Sequence, residues 1–466
     1  MELGNHELDR AFGSVILLVL PILLWHFTKL NRSTFILSLI ITLSFLEGSL
    51  ELLGLLPSNY NALFRDLLLF IGLVDVIFQK PTIRLTEWGM LSLIIVSLIA
   101  SFLMNDANPV QLVYYLRKTI PNLLLFYYVL NLPIVEESIK SLKKYIVLLF
   151  VIQIPIAFVK IMLYGVYENY IGSMSNIAGS VSSSFTLIAV AYLWSHYLIR
   201  NNSKTLIWIF LFIFFAISGG KRSVVVFIPI IFVFGYFYQG KLSLNRLFTI
   251  FGLVAVLSSL FVYLNFNSKL KGNGLTLKSS FNLVSNFTLL KNYYMARASA
   301  EENSELGVSN NRLLAYGFYF TQYGSNLNNL LLGFTGPGGL YPSNSRERRK
   351  YGTGEQYMFN KYRVGYGMRV GVLWNIFQVG LLFLVGYFGL VYRATRHNSL
   401  KRKLSEQDYL FLKLLFIVFF MDTVIYSSTF IIPNVITTVF YFVLGLYNNP
   451  NYTSANIVEN ELPADV

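Results

Sequence analysis

The sequence predicts an all-α polytopic membrane protein of about 12 to 14 transmembrane helices, with one large extracytoplasmic loop between the tenth and eleventh spans. Three observations carry this expectation. The 466-residue chain is 55% hydrophobic and only 13% charged, far too apolar for one or two soluble domains. Apolar runs of about 20 residues, the length that crosses a bilayer, recur about thirteen times. The basic residues gather between those runs, mostly in alternate connections.

The runs begin near Ala11, Thr34, Asn61, Thr86, Pro109, Tyr145, Val181, Thr205, Val224, Arg246, Gly371, Asp408 and Ile432. The pair at Thr205 and Val224 is short enough to form a re-entrant hairpin rather than two full spans. The first ten residues, MELGNHELDR, are acidic, and no small-residue cleavage site follows the first run, so a retained span is expected rather than a signal peptide. One set of connections carries Lys29 and Arg32, Lys80 and Arg84, Lys140, Lys143 and Lys144, Arg200 and Lys204, Lys241 and Arg246, and Arg393 to Lys403. The positive-inside rule puts that set in the cytoplasm. The opposite connections, around Ser58, Asp106, Gly172 and Ser428, have almost no Lys or Arg, which places the N-terminus outside and the C-terminus inside.

The expected organisation is a block of N-terminal spans (1–265), a loop (266–370), C-terminal spans (371–449) and a polar cytoplasmic tail (450–466). A polar segment as long as 266–370 is functional or disordered. Its apolar patches, FNLVSNFTLL, RLLAYGFYFTQY and NLLLGF, predict a folded external cap with short helices. The net charge of +14 would suggest nucleic acid in a soluble protein, but here it punctuates apolar segments, so no nucleic-acid partner is expected. The absence of cysteine excludes disulfides and thiolate sites. The four histidines, His6, His26, His196 and His397, form no metal-ligand motif, so neither a metal nor another cofactor is implied.

Some cations break the pattern. In FFAISGGKRSVVVF, Lys221 and Arg222 sit on a glycine hinge between apolar runs, on the side otherwise poor in positive charge. In LVYYLRKTIPNLLLFYY, Arg117 and Lys118 lie about two turns inside a span, with Pro121 able to open the helix nearby. Lys160 lies deeper in the next span. Each intramembrane cation costs roughly 2.5 to 3.5 kcal/mol on insertion scales, so a partner is required. Two ordinary explanations stand beside a functional one: Lys221 and Arg222 snorkel to headgroups, and Arg117 and Lys118 pair with Glu47, Glu51, Asp66 or Asp75.

The stretch NNRLLAYGFYFTQYGSNLNNLLLGFTGPGGL, Asn310 to Leu340, resembles the O-antigen polymerase and O-antigen ligase superfamily. In that family an arginine, an apolar helix and a glycine-rich turn precede the last spans; Arg312 and the turn Gly333 to Gly339 match. MRVGVLWNIFQVGLLFLVGYF, Met368 to Phe388, is similar to the family's re-entry helix, with Gly380 at its glycine, Gln378 at its acidic position and Arg369 where ligases carry histidine. IQIPIAFVKIMLYG and the turn IGSMSNIAGSVSSS resemble an earlier span and turn of many polymerases. The resemblance covers Gln153 onward, and the missing histidine favours polymerase over ligase.

The resemblance implies a metal-independent glycosyltransferase of a bacterial plasma membrane. Its donor and acceptor would be undecaprenyl-pyrophosphate-linked oligosaccharides, polymerised at the outer face into O-antigen, capsule or exopolysaccharide. Membrane lipids, a chain-length regulator and a flippase are the other implied partners. A diphosphate leaving group without a metal needs arginine or lysine, arginine best because its fork grips phosphate oxygens in pairs. The expected pyrophosphate-binding residues are Arg117, Lys118, Lys221, Arg222 and Arg363, and the expected catalytic residues are Arg312, Arg369 and the base Glu355, with Glu305 behind it. Tyr316, Tyr319, Tyr341, Tyr357 and Trp374 could stack on sugars or anchor the chain at the interface. The basic cluster Arg346 to Lys350 reads as a solvated, glycan-facing or lipid-facing surface. A ligase, and from another class a flippase or other transporter, remain the alternatives; transporters generally carry repeated halves, which this sequence lacks.

Overall fold

The computed structural model describes residues 31–52, 58–79, 84–133, 136–164, 173–174, 179–218, 221–265, 312–353, 355–362, 364 and 369–453. Among them there is no strand, and every predicted run from Thr34 onward is a helix. The run near Ala11 lies outside the described residues. In chain order the long helices are α1 (Arg32–Leu52), α2 (Ser58–Gln79), α3 (Trp88–Met104), α4 (Pro109–Asn131), α5 (Glu136–Tyr164), α6 (Gly179–Arg200), α7 (Lys204–Ser218), α8 (Arg222–Tyr238) and α9 (Leu244–Asn265). Among the described residues four short helices follow, α10 (Arg312–Gln322), α11 (Leu327–Leu332), α12 (Ser345–Tyr351) and α13 (Glu355–Tyr362). The chain then continues through α14 (Gly371–Arg396), α15 (Asn398–Lys403), α16 (Glu406–Met421), a π-helical turn (Asp422–Tyr426) and α17 (Val435–Asn448).

Among the described residues, four segments are long and apolar enough to cross a membrane: Arg32–Leu50, Glu137–Val159, Gly371–Lys403 and Glu406–Tyr426. Five shorter apolar helices accompany them. Their distribution of polarity is that of a membrane-embedded protein. Phe70 and Phe78 on α2, Ile99 and Leu103 on α3 and Phe248 and Phe251 on α9 face outward, while Ser44, Asn122, Gln153, Ser184 and Asn375 are buried. Inside, such groups bond to one another and to helix carbonyls, because hydrocarbon offers them no partner.

Local chemistry sets the boundaries. Pro109 opens α4 behind Asn108, whose side chain accepts from Val110 N. The last helix begins at Val435 rather than near Ile432, because Asn434 forms a capping box with Thr437. Lys140, Lys143 and Lys144 lie on the first turns of α5 rather than in a connection, since that 29-residue helix outruns its apolar stretch. At 1.5 Å per residue, the 15 residues of α7 reach only about 22 Å, less than the ~30 Å hydrocarbon layer.

One packing group joins α1 to α2, α2 to α4, α4 to α17, and α3 to α14; another joins α6 to α7, α8 and α16, and α8 to α9. A break in α14 seats the glycine-rich segment against both α3 and α14. Gly380 has φ 82° inside this helix, and a side chain there would meet the Leu331 carbonyl oxygen at 2.1 Å. Only glycine tolerates both the left-handed backbone and the approach. The short helix α11 packs into this break, and the turn after it continues across the N-terminal ends of α4 and α14.

Candidate functional site

On α4, Tyr114, Arg117, Lys118, Pro121, Asn122 and Leu125 fall on one helical stripe, and on α2 Ala62, Arg65, Asp66 and Leu69 do the same. The two stripes face each other across a cavity of about 380 Å³, within the range that holds small organic ligands. Ile40 and Glu47 of α1, Ile432, Pro433 and Thr438 at the start of α17, and Tyr341 complete the lining. All these helix ends belong to the connections poor in Lys and Arg. The cavity is amphipathic, with charges from Glu47, Arg65, Asp66, Arg117 and Lys118 and apolar walls from Ile40, Leu69, Leu125, Ile432 and Pro433.

Two ion pairs and a cation–hydroxyl contact organise the described charges. Arg65, only 8% exposed, contacts Glu47 at 3.2 Å and donates to Ser44 Oγ at 3.1 Å. Arg117 lies 3.6 Å from Asp66, a long contact between half-exposed groups. Lys118 donates to the Tyr341 hydroxyl and sits 4.2 Å from the centre of that ring. Among the described lining residues, three cations face two carboxylates. Pro121, inside α4, has no N–H to give the carbonyl one turn before it.

Tyr341 reaches this place because of the glycine-rich turn. Phe334 N and Thr335 N donate to the Phe377 carbonyl at 2.8 and 3.1 Å, and Gly338 N donates to Gln378 Oε1 at 3.0 Å. Gly338, at φ 78°, lies against α4 so closely that a side chain would meet the Gln111 carbonyl oxygen at 1.9 Å. Gln111 in turn donates to the Tyr341 carbonyl at 2.5 Å. The Tyr341 ring then packs edge-on against Trp374, with centroids 5.8 Å apart. Burial pushes the Tyr341 phenol above its usual range, while the charge of Arg369 opposes it, so this hydroxyl stays protonated at neutral pH.

A buried hub holds the remaining wall. Asp422, fully buried in the π-helical turn, accepts from Ser184 Oγ at 2.9 Å and Ser427 Oγ at 3.0 Å. Ser427 N closes the π turn onto the Asp422 carbonyl, and the Ser427 carbonyl accepts from Gly371 N at the head of α14. Asn122 donates to the Ile431 carbonyl at 2.6 Å. The segment from Ser427 to Asn434 is thus pinned at both ends, which sets Ile432 and Pro433 into the cavity.

The expected site residues divide accordingly. Arg117 and Lys118 line the cavity, and the exposed Arg369 lies close enough for its charge to act on both Lys118 and Tyr341. Lys221, only 4% exposed, caps α8 at the turn from α7 and is not among the lining residues. Arg222, Arg312 and Glu355 open α8, α10 and α13, but their side chains lie outside the described residues, as does all of Arg363. Lys160 and Glu305 also fall there in side chain or whole. Of the ordinary partners proposed for Arg117, Asp66 takes the role, while Asp75 pairs with Arg32 at 3.3 Å. Sequence reasoning missed Arg65, whose only signal was a cation beside an aspartate in an apolar run.

Comparison with protein-family models, with curated proteins and with solved structures finds no match for this chain.

Proposed function

We propose that the chain polymerises undecaprenyl-pyrophosphate-linked oligosaccharide repeat units at the outer face of a bacterial plasma membrane. The observation that supports this best is the cavity itself, where Arg117 and Lys118 meet Arg65 and the loop residue Tyr341 above apolar walls. A lipid diphosphate needs both halves of such a site: cations and hydroxyl donors for its phosphates, and an apolar flank for the start of its chain. In this reading the N-terminus lies outside and the C-terminus in the cytoplasm, so that the cavity opens to the outer surface.

The chemistry derives from the charges. An acceptor sugar hydroxyl attacks the anomeric carbon of the donor, a new glycosidic C–O bond forms, and the bond from that carbon to the diphosphate oxygen breaks. Its electron pair leaves with the lipid diphosphate, where Arg117, Lys118 and Arg369 stabilise the added charge. The diphosphate competes with Asp66 for Arg117, a contact already long at 3.6 Å. Asp66 so released is a carboxylate in the cavity that can take the hydroxyl proton; Glu355 remains the base expected from the sequence. Arg312 stands with Arg369 as a catalytic cation in this proposal, and Lys221, Arg222 and Arg363 as further pyrophosphate-binding residues.

The test is the double variant Arg117→Gln with Lys118→Gln, expressed in the producing cell. Membrane levels should stay normal while single lipid-linked repeat units accumulate. Full-length polymer in that strain contradicts the proposal, and accumulation of long lipid-linked polymer assigns the site to a ligase instead.

A further inference from the structure

The helix α12, SRERRKY, carries four cations and one acid, and the structure sorts them by side. Glu347 turns inward. Its Oε2 accepts from Ser343 N and Ser343 Oγ, each at 2.8 Å, and from the Tyr357 hydroxyl at 3.2 Å, while Oε1 accepts from Lys361 at 2.8 Å. Arg346, Arg348, Arg349 and Lys350 are all exposed, and none of them contacts a carboxylate within ion-pair distance among the described residues. Four like charges on two turns repel one another. The helix nevertheless stays anchored, because burial alone would raise the Glu347 carboxyl, yet its bonds from Lys361 and Ser343 hold it down at about 2.

The position of this surface matters as much as its charge. It begins four residues after Tyr341, a lining residue of the cavity, and Glu347 joins it through Lys361 to α13, which is tied to the glycine-rich turn: the Tyr362 hydroxyl donates to the Gly339 carbonyl at 3.0 Å, and the Tyr323 hydroxyl donates to the Tyr362 carbonyl at 2.6 Å. Lys350 lies 4.8 Å from the centre of the half-exposed Tyr351 ring, which pairs a cation with a face on which a sugar ring can stack. A helix lying on lipid needs an apolar face as well as cations, and α12 has no aliphatic residue.

We propose that α12 is a docking surface for acidic glycan, a chain of carboxylate-bearing sugars passing the mouth of the cavity. The proposal rests on the glycan-polymerising reading and adds the substrate class, a repeat unit that contains a uronic or similar acid. The carboxylates pair with Arg346, Arg348, Arg349 and Lys350, and the sugar ring between them covers Tyr351.

The test uses the full chain in nanodiscs of neutral phosphatidylcholine, without turnover. Oligogalacturonate is the acidic probe and dextran the neutral one. Wild type should bind oligogalacturonate with an affinity that falls as salt rises, and R346Q/R348Q/R349Q/K350Q should bind it about tenfold or more weakly at unchanged thermal stability. Dextran should not distinguish the two proteins. Equal oligogalacturonate binding by both overturns the proposal; so does a variant that keeps this binding but loses attachment to phosphatidylglycerol vesicles, which makes α12 a lipid-headgroup surface. Because no catalysis is measured, failure here is separate from failure of the polymerase reading, which R117Q/K118Q tests alone.

Discussion

Replacing Gly338 by alanine should lift the glycine-rich turn off α4 and carry Tyr341 away from Lys118. Two costs add at this position. A left-handed backbone costs a residue with a side chain about 1 to 2 kcal/mol. The added methyl group would also sit 1.9 Å from the Gln111 carbonyl oxygen, which belongs to helix backbone and cannot rotate aside. Overpacking of this kind costs about 1 to 3 kcal/mol. Together about 2 to 5 kcal/mol favours the undocked turn, a rise in its population of roughly 30-fold to over a thousandfold at 1.4 kcal/mol per decade. The natural chain has no cysteine, so Leu340→Cys gives a single reporter at a position only 1% exposed. Its labelling by an impermeant maleimide should accelerate by at least about 30-fold when Gly338→Ala is added, with opening governed by this equilibrium. Gly317→Ala is the matched control, because nothing lies within 4 Å of a side chain added there and α10 is helical. Labelling in the Gly338 variant no faster than in the Gly317 control would refute the reasoning.

Two further outcomes concern the charged pairs. Arg65→Met removes the 3.2 Å contact between Glu47 and a guanidinium only 8% exposed, and should lower the thermal unfolding temperature; Glu47→Gln added to it should recover part of the loss. Glu347 is held at about 2 in the folded chain against an ordinary 4.5, so the stability it contributes is complete above pH 4.5 and is lost as pH falls toward 2. Hydrogen exchange in α12 and α13 should therefore quicken through that window in wild type, and Glu347→Gln should remove this dependence.

Much of the fold was legible because apolar runs long enough to span hydrocarbon leave few alternatives to helix. The exceptions have local causes. The three lysines of α5 read as a connection because periodicity ends where the apolar stretch ends, although the backbone hydrogen bonds continue. The break at Gly380 was invisible, since a glycine in an apolar helix looks the same whether the backbone is helical or left-handed. At the site, Arg117 and Lys118 stood out because charge in an apolar run demands a partner. Which partner each takes depends on how α1, α2 and α4 are rotated against one another, and no sequence period records that. The two glycine-bearing segments stand apart in the sequence, yet Gly333 to Gly339 and the start of α14 touch through Phe377 and Gln378.

The most direct measurement is binding of undecaprenyl diphosphate to the purified chain in neutral nanodiscs, compared with R117Q/K118Q. The cavity at α2 and α4 predicts saturable binding by wild type and a loss of at least about a hundredfold in the variant, from two charge-assisted contacts removed. The same affinity in both proteins would contradict it.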